Sequence, residues 1–452
     1  MTLTSTLDAL SDGTLPNSFN GLRTHVDEQW IESALAQGGV ATVRRRKLPA
    51  AEVVWLVIGI SLYRDRPMVE VVHRLDLVLP GRDGRVEPIT KGAIPQARER
   101  IGVEPLKRLF EITARHWAWS DADQERWRGL MVLGADGSTL RVSDSPENRK
   151  AFRLPPQCRG RSAGYPQVRV AVLMALRSRV WMDFDFADNR TGEGPITWPL
   201  IQRVPEKSVT ILDGYYGNYA QLQELRLNGK DRHWLLRAKK NARRRLVKRL
   251  GPGDDLVEIA LPSDVRKAHP DQPAHFLVRL IRYRRKGFRS RVLMTSLVDP
   301  EIYPASEIVE LYHERWELEL GYDELKTHTL EREETIRSQT PDHVRQELWG
   351  MAIAYNLVRR EMNLFGREHK LPSRRISFRT SLMLIRDLFI WAATASPGSL
   401  PKMIKRLRLD MNQLVLPPRA TDRRYPRHVK LAWSRYPRNN RHPRASTVNG
   451  LN

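Results

Sequence analysis

A single cysteine, Cys158, in 452 residues leaves no partner for an internal disulfide and no thiol set for zinc. Such a thiol-poor chain suits a reducing compartment, and the cytoplasm is the expected location. Long apolar runs are also missing. The most apolar stretch, VVWLVIGISLY (Val53–Tyr63), is too short to cross a bilayer and is expected to be a buried helix, with no membrane partner. The opening segment MTLTSTLDALSDG has neither a basic start nor a long apolar core, so no secretory signal is expected. Acidic residues are short in supply: 52 stand against 76 Lys and Arg, a formal net charge of +24. A chain this basic usually meets a polyanion, DNA or RNA by default, with an anionic membrane surface or a ribosome as weaker options. At 41% hydrophobic residues it can bury a core and is not a disordered polycation. That size and core oppose a purely structural or ribosomal role.

The periodicity divides the chain. From about Val26 to Trp117 the pattern is helical, and ITKGAIPQARERIG is expected to supply the turn and second helix of a small DNA-binding unit, or else part of a plain helical bundle. From Gly129 the period shortens. LMVLGADGSTLRV, two strands joined at Arg177–Ser178–Arg179, a short helix at ITWPLIQRV, the strand SVTILDGYYG, a helix at YAQLQELRLNG and the strand HWLLRAK give the order β-β-β-α-β-α-β. A meander followed by crossovers to parallel strands fits that order. Residues 239–290 break it with a basic, β-containing insertion, in which HFLVRLIRYRR reads as a strand. Asp342–Phe365 reads as one long helix. From Lys402 to Arg444 thirteen Lys or Arg face two Asp, an arm suited to a polyanion or a merely solvated tail.

Two acids sit at strand ends: Asp136 in VLGADGST and Asp213 in TILDGYY. Either Asp-Gly alone reads equally well as a turn. Asp144 and Asn148 read as turn formers. A third acid, Glu319, lies in YHERWELELGYDELK, Tyr312–Lys326, which has no proline and reads as a single helix. At about 100° per residue, Tyr312, Arg315, Glu319 and Lys326 fall within an arc of roughly 60°. Leu311, Leu318 and Leu325 form the neighbouring stripe and are expected to be buried, which places the polar row beside a cleft. An ordinary amphipathic helix with an Arg315–Glu319 ion pair is the plainer alternative. Three converging carboxylates repel one another unless a cation neutralises them, and oxygen-only ligands suit Mg²⁺ or Mn²⁺. Two such ions about 4 Å apart activate a water or a 3′-hydroxyl at a phosphodiester.

The spacing Tyr-x2-Arg-x3-Glu-x6-Lys, with ADGSTLRVSDSPEN and LDGYYGNYAQL preceding it in order, resembles the signature of the insertion-sequence-four family of bacterial DDE transposases. AIPQARERIG with PLKRLF is similar to that family's N-terminal region, and RRYPRHVKLAWSRYPR to its basic tails. The likeness covers about residues 20 to 440. It implies an α/β, ribonuclease-H-like catalytic domain with a β-rich insertion, flanked by helical N- and C-terminal regions. The expected bounds are 1–120 for a helical DNA-binding domain, 121–238 and 291–370 for the two parts of the core, 239–290 for the insertion, and 371–452 for a helical, basic end. The resemblance implies that Asp136, Asp213 and Glu319 hold two Mg²⁺ ions, with Mn²⁺ able to substitute. It implies that Tyr312, Arg315 and Lys326 contact phosphates near the transposon end, Arg as a fork and Lys as a point charge. It implies metal-dependent cut-and-paste transposition through a hairpin on the element end. The partners would be double-stranded DNA, as element ends and as target, in a homodimer associated with the nucleoid. An aromatic of the insertion would hold a flipped base, and Phe288 is the candidate. Many members carry Arg after the second Asp; Gly214 here removes any phosphate contact from that position. A catalytically silent DNA-binding derivative and a ribonuclease-H-like nuclease are the rival readings.

Overall fold

The structure is a computed structural model. It describes residues 26–417, apart from 41–47, 79–87, 123–124, 156–163, 239–243, 262, 269, 271–272, 286–288, 331–334, 395–398 and most positions between 400 and 414. Cys158, Phe288 and nearly all of the basic arm therefore lie outside the described residues.

The helical opening holds α1 (Glu28–Gln37), α2 (Ala50–Leu62), α3 (Met68–Arg74), α4 (Ala93–Ile101) and α5 (Glu104–Ala122). Asp27 starts α1 by accepting the Gln29 amide at 2.9 Å, the usual work of an aspartate N-cap. The apolar run forms α2, buried on every side as its composition demands. Its partner is α12 (Pro341–Glu368), the long helix expected from the sequence. The two backbones cross closely: a Cβ at Gly350 would stand 2.8 Å from the Val57 carbonyl oxygen. Polar ties reinforce the crossing, with Arg64 pairing with Glu347 at 2.7 Å and Arg98 donating to Gln346 at 3.0 Å. Arg98 lies on α4, is 2% exposed, and also donates to the His343 carbonyl, so its charge is committed to the interior.

The sheet begins with the meander β1 (Met131–Val142), β2 (Gln167–Ala175) and β3 (Trp181–Asp188), with the short helix α6 (Pro146–Phe152) between β1 and β2. Asn148 lies in that helix rather than in a turn, and Asp144 stands just before its N-cap, Ser145. Asp144 pairs with Arg149, and the fully buried Asn148 donates to the carbonyls of Ser143 and Ser338. After β3, α7 (Glu193–Gln202) leads to β4 (Ser208–Leu212), and α8 (Tyr219–Leu227) leads to β5 (Arg232–Arg237). Both β4 and β5 run parallel to β1, giving the order β3-β2-β1-β4-β5. The expected order of elements holds, with α6 added.

The insertion does not stand apart from this sheet. Strands β6 (Arg244–Gly251), β7 (Asp254–Ala260) and β8 (His275–Tyr283) join β9 (Arg291–Thr295), which pairs antiparallel with β5, so one sheet runs through to β6; α9 (Ser263–Ala268) links β7 to β8. The sequence reading found β8 and missed the β6–β7 hairpin. In RRLVKRLG the positions from Arg244 to Arg249 are all exposed, so no alternation betrays a strand. A charged edge of this kind also discourages pairing with other strands. Further described elements include α10 (Ala305–His313), α11 (Trp316–Asp323), the two-residue β10 (Thr335–Ile336) beside the end of β1, and α13 (Phe378–Thr394). Phe110 of α5, Phe184 of β3 and Trp349 of α12 meet with ring centroids 5.2–6.0 Å apart, which fastens the helical opening to the sheet. No helix among the described residues is long and apolar enough to cross a membrane.

Candidate active site

Strand β1 runs on to Val142, so Asp136 lies inside it and not at its end. The ladder explains the effect. The last parallel pair between β1 and β4 is Gly134 with Ile211. Two residues further along each chain stand Asp136, still inside β1, and Asp213, just past the end of β4. Beyond this point β4 stops, while β1 continues paired with β2. The acids thus emerge where two parallel strands part company. Asp213 opens the next turn by accepting the Tyr215 amide at 3.0 Å. Asp136 accepts the Gly137 amide at 2.9 Å. Burial pushes the Asp136 carboxyl up to about 6; the Gly137 amide and the Arg315 charge oppose the rise, and the negative charges of Glu193 and Asp213 add to it. Asp-Gly at 136–137 makes no turn.

The Tyr312 segment is not one regular helix. α10 ends at His313 and α11 begins at Trp316. Between them the amides of Glu314, Arg315, Glu317 and Leu318 each reach back three residues, a tightened step. After α11 the chain widens into a π-helical turn at Glu324–Thr329, which carries Lys326. The leucine stripe survives both irregularities: Leu311, Leu318 and Leu325 are all buried, and Leu318 lies over Gly134 of β1. Glu319 follows Leu318 on α11 and pairs with Arg315.

Arg315 links the group. It donates to Glu319 at 2.7 Å, and its charge also acts on Tyr312, Asp213 and Asp136. A cleft of about 520 Å³ is lined by Asp213, Gly214, Tyr312 and Arg315 together with Arg237 and Arg291. The last two arginines end β5 and begin β9, and sequence reasoning missed both. A Cβ at Gly214 would sit 3.3 Å from the Arg237 carbonyl, so the cleft draws its cations from β5 and β9. Lys326 lies half-buried seven residues beyond Glu319. Among the described residues no three acidic, histidine or cysteine side chains are grouped closely enough to hold one ion, and Glu319 is paired with Arg315. By their chemistry Asp136, Asp213 and Glu319 offer oxygen donors only, the kind a hard divalent cation takes.

A buried ionic knot ties α11 and the π turn to the β2–β3 turn and α12. Arg179 of the β2–β3 turn donates to Glu317 at 2.7 Å and pairs with Glu324. Arg359 and Tyr355 of α12 reach Glu324 at 3.0 and 3.2 Å. Glu317 and Glu324 flank Glu319 in sequence, so the knot clamps the helix that presents it.

Residues 16–111 match the family model described as insertion element 4 transposase N-terminal, and residues 127–357 match the transposase DDE domain. Transposase InsG for insertion sequence element IS4 of Escherichia coli (strain K12) is 35% identical over 426 residues, 94% of each chain. The putative transposase InsZ of the same organism is 31% identical over 252 residues, 56% of this chain and 80% of that one. A cryo-EM structure of the piggyBac transposase synaptic complex with hairpin DNA overlaps 90% of this chain and 88% of that one, at 13% identity and a TM-score of 0.41.

Proposed function

The chain belongs to the insertion-sequence-four family of DDE transposases, enzymes that cleave DNA and rejoin it, and from that premise we propose that Asp136, Asp213 and Glu319 are its catalytic carboxylates. The DDE domain implies a ribonuclease-H-like core, and the sheet order β3-β2-β1-β4-β5 is in keeping with one. One observation carries the assignment of the acids. Asp136 and Asp213 each stand two residues past the last paired residues of β1 and β4, and Arg315 pairs with Glu319 while its charge acts on both aspartates, which supports this reading.

On this reading the three carboxylates hold two Mg²⁺ ions, or Mn²⁺ in their place. Bound ions of this kind activate an attacking water or 3′-hydroxyl and stabilise the leaving oxygen of a phosphodiester. The chain's own residues do the rest. Arg315 forks onto a phosphate of the element end, and in doing so turns Glu319 loose from its ion pair and toward the aspartates. Tyr312 donates one hydrogen bond to the backbone beside it, and Lys326 supplies a point charge further along. Arg237 and Arg291 extend the same basic lining. The reaction begins with cleavage of one strand by water. The freed 3′-hydroxyl then attacks the opposite strand to form a hairpin, the hairpin is opened, and the 3′-hydroxyl attacks target DNA. Each step is a phosphoryl transfer, so no external energy source is required. Two ends must be held together, which calls for a homodimer on DNA. An aromatic from the insertion holds the flipped base, and Phe288 is the candidate.

The test is incubation of the protein with a labelled duplex carrying its element ends, in Mg²⁺, Mn²⁺ or EDTA, beside Glu319→Gln. Metal-dependent nicks and hairpins that vanish in the variant, with end binding kept, are expected. Binding without cleavage in any metal would make the chain a silent DNA-binding derivative.

A further inference from the structure

Glu193 did not stand out in the sequence, where it opens the short helix α7. As the first residue of a helix its carboxylate could face water. Instead it turns onto the sheet. A Cβ built on Gly137 would lie 2.5 Å from Glu193 Cγ and 2.6 Å from its Cδ, so the acid occupies the space a side chain at 137 would take. That accounts for a glycine inside β1, directly after Asp136. The Tyr216 hydroxyl donates to Glu193 Oε1 at 2.5 Å and reaches Thr197 Oγ1 at 3.2 Å. Tyr216 belongs to the 3₁₀ turn that Asp213 caps. Glu193 therefore touches the residue after one aspartate and is pinned by the turn that follows the other. From the third side, the Tyr322 hydroxyl of the Glu319 helix donates to the Asp136 carbonyl at 2.8 Å. Among the described residues no lysine or arginine pairs with Glu193. Its negative charge adds to that of Asp213 at the Asp136 carboxyl, against the positive charge of Arg315. Among the described residues the Glu193 carboxylate has a tyrosine and no cation to answer it, so it leaves negative charge near Asp136 that a bound cation would meet.

We propose that Glu193 is a fourth carboxylate of the active site, which helps Asp136 draw and hold the divalent cation. The inference rests on the reading of Asp136 as a metal ligand. The test is Mn²⁺ binding by the full-length, DNA-free protein, followed by electron paramagnetic resonance of the free ion, for wild type, Glu193→Gln, Glu193→Asp and Asp136→Asn. Gln keeps the acceptor for Tyr216 and removes the charge; Asp keeps the charge and shortens the reach. Glu193→Gln should weaken Mn²⁺ binding about tenfold, with melting temperature and end binding in EDTA unchanged. Glu193→Asp should retain more affinity than Gln. Unchanged affinity in Glu193→Gln, while Asp136→Asn loses it, overturns the role of Glu193 and leaves the three-carboxylate reading standing. Unchanged affinity in Asp136→Asn removes that reading and this proposal together. A Gln variant that matches or exceeds Asp, or that melts early and loses end binding, makes Glu193 a structural residue and also overturns it.

Discussion

Asp136 carries a penalty that a purely structural residue would have no reason to keep. Its carboxyl is raised to about 6 in the fold, chiefly by burial, against 3.8 as the ordinary value. The ionised form is thus disfavoured by folding. That cost is absent below the unfolded value, grows through the interval up to about 6, and is complete above it. In metal-free buffer Asp136→Asn should therefore melt above wild type at pH 8, and the gap should close as the pH is lowered toward 4; a gap that does not depend on pH would contradict the assignment. Arg315 raises a separate question, since its ion pair with Glu319 is also what the plainer amphipathic-helix reading expects. The two roles separate in salt. If Arg315 leaves the pair for a phosphate, Arg315→Ala should reduce the slope of log affinity for the element end against log salt by about one, and an unaltered slope would leave Arg315 a helix-stabilising residue.

At the scale of elements, the helix that carries Glu319 shows what pattern reading reaches and where it stops. The leucine stripe was legible because a buried face leaves a periodic mark, and Leu311, Leu318 and Leu325 are buried as expected. The tightened step at Glu314–Arg315 and the π turn at Glu324–Thr329 were not legible. They follow from distant partners: Arg177, which holds Glu314 at 2.9 Å, and Arg179 and Arg359, which hold Glu324. Helical propensity in a short window carries no trace of such partners. Glu324→Ala would leave two arginines of the interior without their shared counter-ion. It should lower stability by about 3–5 kcal/mol in chemical denaturation, whereas an exposed ion pair is worth well under 1 kcal/mol. A loss in the exposed range would mean that the knot does not clamp the helix.

For the whole molecule the decisive feature is continuity. One sheet passes from the meander through the site to the exposed, arginine-rich strand β6, and α12 fastens the helical opening to it. The positive charge is spread along the chain, and residues 418–452 hold nine Lys or Arg against one Asp. If this arm meets DNA, removing residues 418–452 should weaken binding of a non-specific duplex at low salt and flatten its salt dependence, with the melting temperature unchanged. Equal affinity would make it a solvated tail.

By itself the sequence determined the family, the order of strands and crossovers from β1 to β5, the buried α2 and the long α12, because each leaves a local or periodic signature that survives any neighbour. It also singled out Asp136, Asp213, Arg315 and Glu319, since their spacing is a motif in one dimension. Only the tertiary structure decided that Asp136 sits inside a strand, that Gly137 is small so that Glu193 can lie over it, and that Arg237 and Arg291 line the cleft. Those relations join residues tens of positions apart. They arise from register and packing, which a linear pattern does not encode.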